Sequence, residues 1–189
     1  MISRLLIAGI ASVVLAASSA ADNGHHAASP YAGEESRDTS SLSGKDVADL
    51  LDGKGWGFAK PAELNGYPGP SHVLELSEKL KLSAEQRTQV QAVFDRMATA
   101  ARETGVKFVG AERLLDAAFK DRAVDAAILR QRIDAAEVLR AELRHIHLAA
   151  HLETTPILTP EQRHAYVQLR GYTMQHTPQH GQHHAPKAE

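Results

Sequence analysis

His147 and His151 stand four residues apart in a long stretch of helix-forming sequence. That spacing is one helical turn, so both imidazoles lie on one side of a helix and can reach a single metal ion. Leu143 and Ala136 place the apolar stripe of this segment beside the pair, which predicts that the histidines are partly buried. Leu148 occupies the position where a zinc protease of the H-E-x-x-H type carries glutamate, which disfavours hydrolysis. The pattern therefore indicates either a metal site or a histidine pair that simply packs in a core.

Two more candidate ligands lie near the start of a shorter predicted helix. His72 is in its first turn, where the helix N-terminus disfavours imidazolium and favours the neutral form that binds metal. Glu75 follows three residues later and should share the face of His72. If the two long helices fold back on each other, His147 comes opposite about Met97, at the open end where the short helix must pack. We therefore expect His72, Glu75, His147 and His151 to form a site of three nitrogens and one oxygen.

This donor set suits a divalent transition metal. Zinc, nickel, cobalt and copper all accept imidazole, and the residue types alone do not choose between them. Near the N-terminus, His25 and His26 either bind metal loosely or are merely solvated. The polar C-terminal segment carries a further set, for which weak metal binding and simple solvation both remain open: His176, His180, His183 and His184.

The composition argues against catalysis and against nucleic-acid binding. Cysteine is absent, which excludes thiolate nucleophiles and thiolate metal ligands, and the sequence contains no G-x-S-x-G motif. Lys and Arg number 21 against 23 Asp and Glu, so the chain lacks the basic excess of a dedicated nucleic-acid binder. We expect a protein that is not an enzyme and has no nucleic-acid partner.

The chain divides into four parts. Residues 1–20 combine Arg4, a short apolar run and small residues, a pattern typical of a secretory signal peptide. Cleavage would leave a periplasmic protein with no stable membrane insertion, whereas an uncleaved segment would act as an anchor. Residues 21–43 are predicted to be a disordered leader, 44–172 a helical domain, and 173–189 a His-rich disordered tail.

Apolar periodicity and capping boxes predict an all-α fold built on an antiparallel hairpin of two long helices, with short flanking helices. The hairpin comprises Ser83–Lys120 and Val124–Glu153, and the flanking helices are Lys45–Leu51, Ser71–Leu80 and Pro160–Tyr172. Gly105 and Gly110 are expected to weaken or bend the first long helix. One hairpin covers the two apolar stripes thinly, so we also expect a homodimer.

Two near-identical segments open helices 76 residues apart: Leu82-Ser-Ala-Glu-Gln-Arg87 and Leu158-Thr-Pro-Glu-Gln-Arg163. Each is a capping box in its own right. As a pair they resemble the Leu-Thr-x-x-Gln signature of the Spy/CpxP family of periplasmic chaperones and heavy-metal resistance or sensor proteins. The resemblance covers roughly residues 50–172, and residues 63–76 are similar to a subgroup described as periplasmic heavy-metal sensors.

The resemblance implies a Spy/CpxP-like helical hairpin and two possible functions. One is a periplasmic protein that buffers or senses divalent transition metals, with ligands from His-x-x-x-His pairs, a carboxylate and sometimes methionine. The alternative is an ATP-independent chaperone that holds unfolded clients in a helical cradle. The partners implied are a second copy of the chain, unfolded periplasmic proteins or an envelope sensor.

Overall fold

The computed structural model describes residues 29–172, and within this range the regular structure is helical with no strands. The helices are α1 Gly44–Leu51, α2 Lys60–Glu63, α3 Pro70–Glu75, α4 Ala84–Lys120, α5 Ala126–Thr154 and α6 Pro160–Leu169, with a 3-10 turn at Thr155–Ile157. The predicted all-α class is confirmed. The predicted signal peptide, His25, His26 and the four tail histidines lie outside the described residues.

Helices α4 and α5 form the predicted antiparallel hairpin. The Ser83 hydroxyl caps α4 by accepting from the Gln86 amide, and the Asp125 carboxylate caps α5 by accepting from the Ile128 amide. The open end of the hairpin is bridged by Arg96 and Glu153, whose Nη2 and Oε2 atoms are 2.7 Å apart. The turn of the hairpin therefore lies near residues 121–125, and the start of α4 and the end of α5 lie together at the opposite, open end.

Gly105 lies where α1 crosses α4. A Cβ at this position would stand only 2.2 Å from the Leu50 carbonyl oxygen, so the missing side chain lets the two backbones approach closely. Helix α4 runs through Gly105 and Gly110 without interruption, so the expected weakening does not end it. The crossing brings Leu50 onto a core that also contains Phe58, Phe108 and Leu143.

Two of the short helices are shorter than the sequence predicts. Helix α3 ends at Glu75 and not at Leu80, because residues 76–81 form turns that close with Lys81 in a left-handed conformation at φ 51°. Helix α6 ends at Leu169 and not at Tyr172, where the Tyr172 amide donates back to the Val167 carbonyl. Both helices pack at the open end of the hairpin in a second apolar cluster: Val73, Leu80, Val90, Leu158, Tyr166 and Val167.

The end of the predicted leader lies against α4. Asp38 pairs with Arg113, and the Ser40 amide donates to the Asp116 carboxylate at 2.5 Å. Leu42 is buried in the core beside Leu50. Residues 38–42 thus pack on the domain, although their composition predicts a disordered segment. Between residues 29 and 172, no helix combines the length and apolar character needed to cross a membrane.

Candidate functional site

The predicted histidine pair on α5 is buried. His147 and His151 are only 4% and 5% exposed. The His147 ring stacks on Phe58, with centroids 6.4 Å apart, and its Nε2 atom is buried without a hydrogen-bond partner. Burial, together with the charge of nearby His151, lowers the pKa of His147 below its ordinary value. His147 is therefore a neutral imidazole with one polar atom unsatisfied, the form that ligates metal.

His151 is held in one tautomer by the backbone. Its Nδ1 atom is 2.8 Å from the Tyr67 carbonyl oxygen, and because a carbonyl only accepts, Nδ1 must carry the proton. The Nε2 lone pair of a neutral His151 is then free to ligate. Imidazole ligands of metals are commonly oriented by this kind of contact.

The carboxylate that meets His72 is Glu63, on α2. His72 Nδ1 donates to Glu63 Oε1 at 3.1 Å, which again leaves the Nε2 atom for other partners. Glu75, the predicted carboxylate ligand, is exposed and accepts a hydrogen bond from the Ser71 hydroxyl. Sharing a helical face with His72 does not bring Glu75 to the histidines, because α3 presents that part of its surface outward.

Glu63 is ionised although it is largely buried. Burial raises the pKa of its carboxyl group, but hydrogen bonds from His72 and Tyr166 and the charges of His72 and His151 outweigh this effect. The net result is a pKa below its ordinary value. The carboxylate thus supplies the negative charge of the site.

Gly69 leaves a gap between imidazole and carboxylate. A Cβ on this residue would lie 2.9 Å from His151 Nε2 and 3.0 Å from Glu63 Oε1. Since ordinary Cβ contacts are longer, any side chain at this position would intrude between the two groups. The Gly69 backbone is extended, at φ −85°, so the steric requirement for glycine comes from this gap and not from backbone conformation.

These groups line one cavity of about 640 Å³. Its wall includes His72, His147, His151 and Glu63, and α4 contributes Phe94 and Met97. The three predicted histidines therefore line the same cavity, and the carboxylate beside them comes from Glu63 and not from Glu75. Within residues 29–172, no three His, Asp or Glu side chains already stand in a metal-ligating arrangement. The chemistry of the donors fits a late transition metal, and capture would require side-chain rotation around the cavity.

Sequence reasoning did not single out Glu63 as a ligand. It belongs to the four-residue helix α2, and the turn through Gly66 and Pro68 folds it back onto α3. The available signal was a carboxylate nine residues before His72, separated from it by a Gly- and Pro-rich turn.

A comparison with protein families matches residues 58–165 to the model of a family described as heavy-metal resistance. No curated protein and no solved structure matches the chain. The matched range includes the hairpin and the four candidate ligands at the cavity, Glu63, His72, His147 and His151. The all-α chain with its Spy/CpxP-like helical hairpin belongs to the heavy-metal resistance family.

Proposed function

We propose that this protein binds divalent transition metals in the periplasm and buffers or senses them. The observation that carries the proposal is the meeting of His72, His147, His151 and Glu63 at one cavity. His147 adds a buried, unpartnered Nε2 atom, which normally costs about 1–3 kcal/mol unless a partner is supplied. A metal ion would supply that partner.

The donor set selects a class of metal. Three imidazoles and one carboxylate suit zinc, nickel, cobalt and copper, whereas magnesium and calcium prefer sites made of oxygen ligands. Burial keeps His147 neutral, so this imidazole has no charge to lose, and the Tyr67 carbonyl holds Nδ1 of His151, which leaves Nε2 as its ligating atom. A metal ion that binds a histidine displaces any proton held on the ligating nitrogen. The affinity of the site for metal should therefore weaken below about pH 6.5.

Calorimetric titration with zinc, nickel, cobalt and copper tests the proposal. The starting protein is the full chain with His176, His180, His183 and His184 changed to Ala, which removes the predicted weak tail binding. We expect one tight component, lost in the His147→Ala/His151→Ala variant and retained in His145→Ala, which changes an exposed histidine of the same helix. Absence of a tight component in the starting protein, or its survival in the double variant, would reject this site.

A chaperone function is the second candidate, supported by apolar surface on the hairpin and beside it. Val138 is 68% exposed, and the other exposed large apolar side chains of the two long helices are Val106, Leu114, Phe119, Ile133 and Leu152. A groove of about 720 Å³ lies beside α5, with Trp56, Phe58 and Leu64 among its apolar residues and with cations at Lys60, Arg140 and Arg144. The groove is also lined by Glu137, which pairs with Arg140, so its charged side chains leave a net positive charge. An apolar groove of this charge suits unfolded segments that carry acidic residues.

Suppression of the aggregation of a reduced model protein tests the chaperone function. We expect the Arg140→Glu/Arg144→Glu variant to lose suppression while its metal titration stays unchanged. A wild-type chain that does not slow aggregation would exclude this function and leave the metal proposal standing.

We further propose that the chain forms a homodimer through the exposed apolar surface of α4 and α5. A second copy would cover side chains such as Val138 and Leu114, which a monomer leaves in water. Light scattering at tens of micromolar should report twice the mass of one chain, and Val138→Asp should shift the population toward monomer. A wild-type monomer at these concentrations would contradict the proposal.

A further inference from the structure

Three side chains hydrogen-bond to Glu63, and a fourth, that of Arg170, lies at ion-pair distance. His72 Nδ1 donates to Oε1 at 3.1 Å, and the Tyr166 hydroxyl lies 2.8 Å from Oε1 and 3.0 Å from Oε2. The Tyr172 hydroxyl donates to Oε2 at 3.2 Å, and Arg170 Nε is 3.8 Å from the same oxygen. Both carboxylate oxygens are therefore engaged before any metal arrives.

A metal ion must compete with these donors. A carboxylate offers about four lone-pair sites, and hydrogen bonds occupying both oxygens make bidentate coordination difficult. Tyr166 is fully buried, and its hydroxyl also accepts from the Gly69 amide at 3.3 Å, so it is anchored on two sides. Tyr172 is only partly buried, its hydroxyl makes the longest of the hydroxyl contacts with Glu63, and its second partner, Arg170 Nη2, donates to it from 3.5 Å, so its bond is the one most readily given up.

We propose that Tyr172 is a positioning residue that competes with the metal for Glu63, which lowers the affinity of the site and couples metal binding to the end of α6. The inference rests on the metal-binding function proposed above. It assigns to the hydroxyl of Tyr172 a role distinct from the packing of its ring, which lies against the apolar cluster at the open end of the hairpin.

Linkage makes the coupling reciprocal. If the bond between Tyr172 and Glu63 weakens metal binding by some factor, metal binding weakens that bond by the same factor. The backbone at this point is held by two turn hydrogen bonds, from the Gly171 amide to Gln168 and from the Tyr172 amide to Val167. The Arg170 guanidinium also lies over the Tyr172 ring, 5.8 Å from its centroid. Release of the hydroxyl therefore loosens the turn at Gly171 and Tyr172. Metal binding in the cavity thereby changes the stability of the backbone at the C-terminal end of α6.

The test compares two tyrosine variants in the chain whose four tail histidines are Ala. Tyr172→Phe keeps the ring and removes the hydroxyl, whereas Tyr67→Phe changes an exposed ring whose residue touches the site through its backbone carbonyl. Zinc titration should show about tenfold tighter binding for Tyr172→Phe, the scale of one lost hydrogen bond to a charged group, and no change for Tyr67→Phe.

Hydrogen exchange gives the second readout. Zinc should accelerate exchange of the Gly171 and Tyr172 amides in the parent chain, and Tyr172→Phe should show the faster exchange without zinc. Unchanged or weaker zinc binding by Tyr172→Phe, or slower exchange of these amides with zinc, would overturn the inference while leaving the proposed site intact. A parent chain that binds no zinc, nickel, cobalt or copper would instead reject the proposed function, and the inference with it.

Discussion

Gln86 and Gln162 hydrogen-bond to each other through both ends of their side-chain amides, with N to O distances of 2.8 and 3.0 Å. The second hydrogen of each amide goes to a backbone carbonyl, that of Ile157 for Gln86 and that of Leu80 for Gln162. Each side-chain oxygen also accepts from the backbone amide of its own capping residue. The two sequence repeats thus form one joint between the starts of α4 and α6.

Replacing either glutamine should destabilise the fold, because the other glutamine then loses its hydrogen-bond partner. We expect Gln86→Ala and Gln162→Ala each to lower the free energy of unfolding by about 1 kcal/mol, because partly buried polar atoms lose their partners. The double variant should lose less than the sum of the two, since both singles break the same contact. Urea unfolding of all variants measures this coupling, and Gln89→Ala, an exposed position on α4, is the control. Fully additive losses would show that the joint does not act as a unit.

The joint also shows what the sequence can and cannot predict. The capping boxes at Ser83 and Thr159 set the starts of their helices with neighbours three residues away, so local pattern is enough to find them. The bond between Gln86 and Gln162 depends on how distant segments meet, and sequence spacing carries no such information. Glu63 is a similar case, because its contact with His72 depends on a turn. The prediction of Glu75 relied on helical geometry alone and so selected an exposed carboxylate.

Two glycines of α4 should respond oppositely to the same substitution. Gly105→Ala places a Cβ against the Leu50 carbonyl and must displace α1, so we expect a loss of about 1–3 kcal/mol, as for other overpacked positions. Gly110→Ala meets no atom within 4 Å and should gain about 0.5–1 kcal/mol from improved helix propensity. Thermal or urea unfolding of the two variants decides the matter. A stable Gly105→Ala chain would contradict the close crossing of α1 and α4.

Closing the gap at Gly69 should weaken metal binding. In Gly69→Ala the new methyl group lies between His151 Nε2 and Glu63 Oε1, so these ligands cannot close on one ion. We expect at least about a tenfold loss of affinity, equivalent to 1.4 kcal/mol. Gly55→Ala is the matched control, because its Cβ would lie at an ordinary 3.8 Å from the His147 ring. Equal affinities for the two variants in calorimetric titration would place the ion elsewhere.

The metal-free chain should lose stability in acid partly through His147. Its pKa is lowered in the folded state by burial, so below the ordinary value of 6.5 the unfolded chain binds a proton that the folded chain does not. The stabilisation is complete above that pH and is lost as the pH falls toward the folded-state pKa, by at most about 1.4 kcal/mol per pH unit. Urea unfolding on both sides of pH 6.5, with a chelator present, should show a shallower slope for His147→Gln. The variant His145→Gln, at an exposed position, should keep the wild-type slope.

The stacking of Phe58 on His147 has an optical consequence. Phe58 also meets the ring of Trp56 edge to face, with centroids 5.3 Å apart, and Trp56 is the one tryptophan in the sequence. All tryptophan fluorescence therefore comes from an indole that is separated from His147 by the single ring of Phe58. Paramagnetic copper or nickel bound at His147 would quench that emission. The tryptophan fluorescence of the unlabelled protein would then report how much of the site is filled with metal.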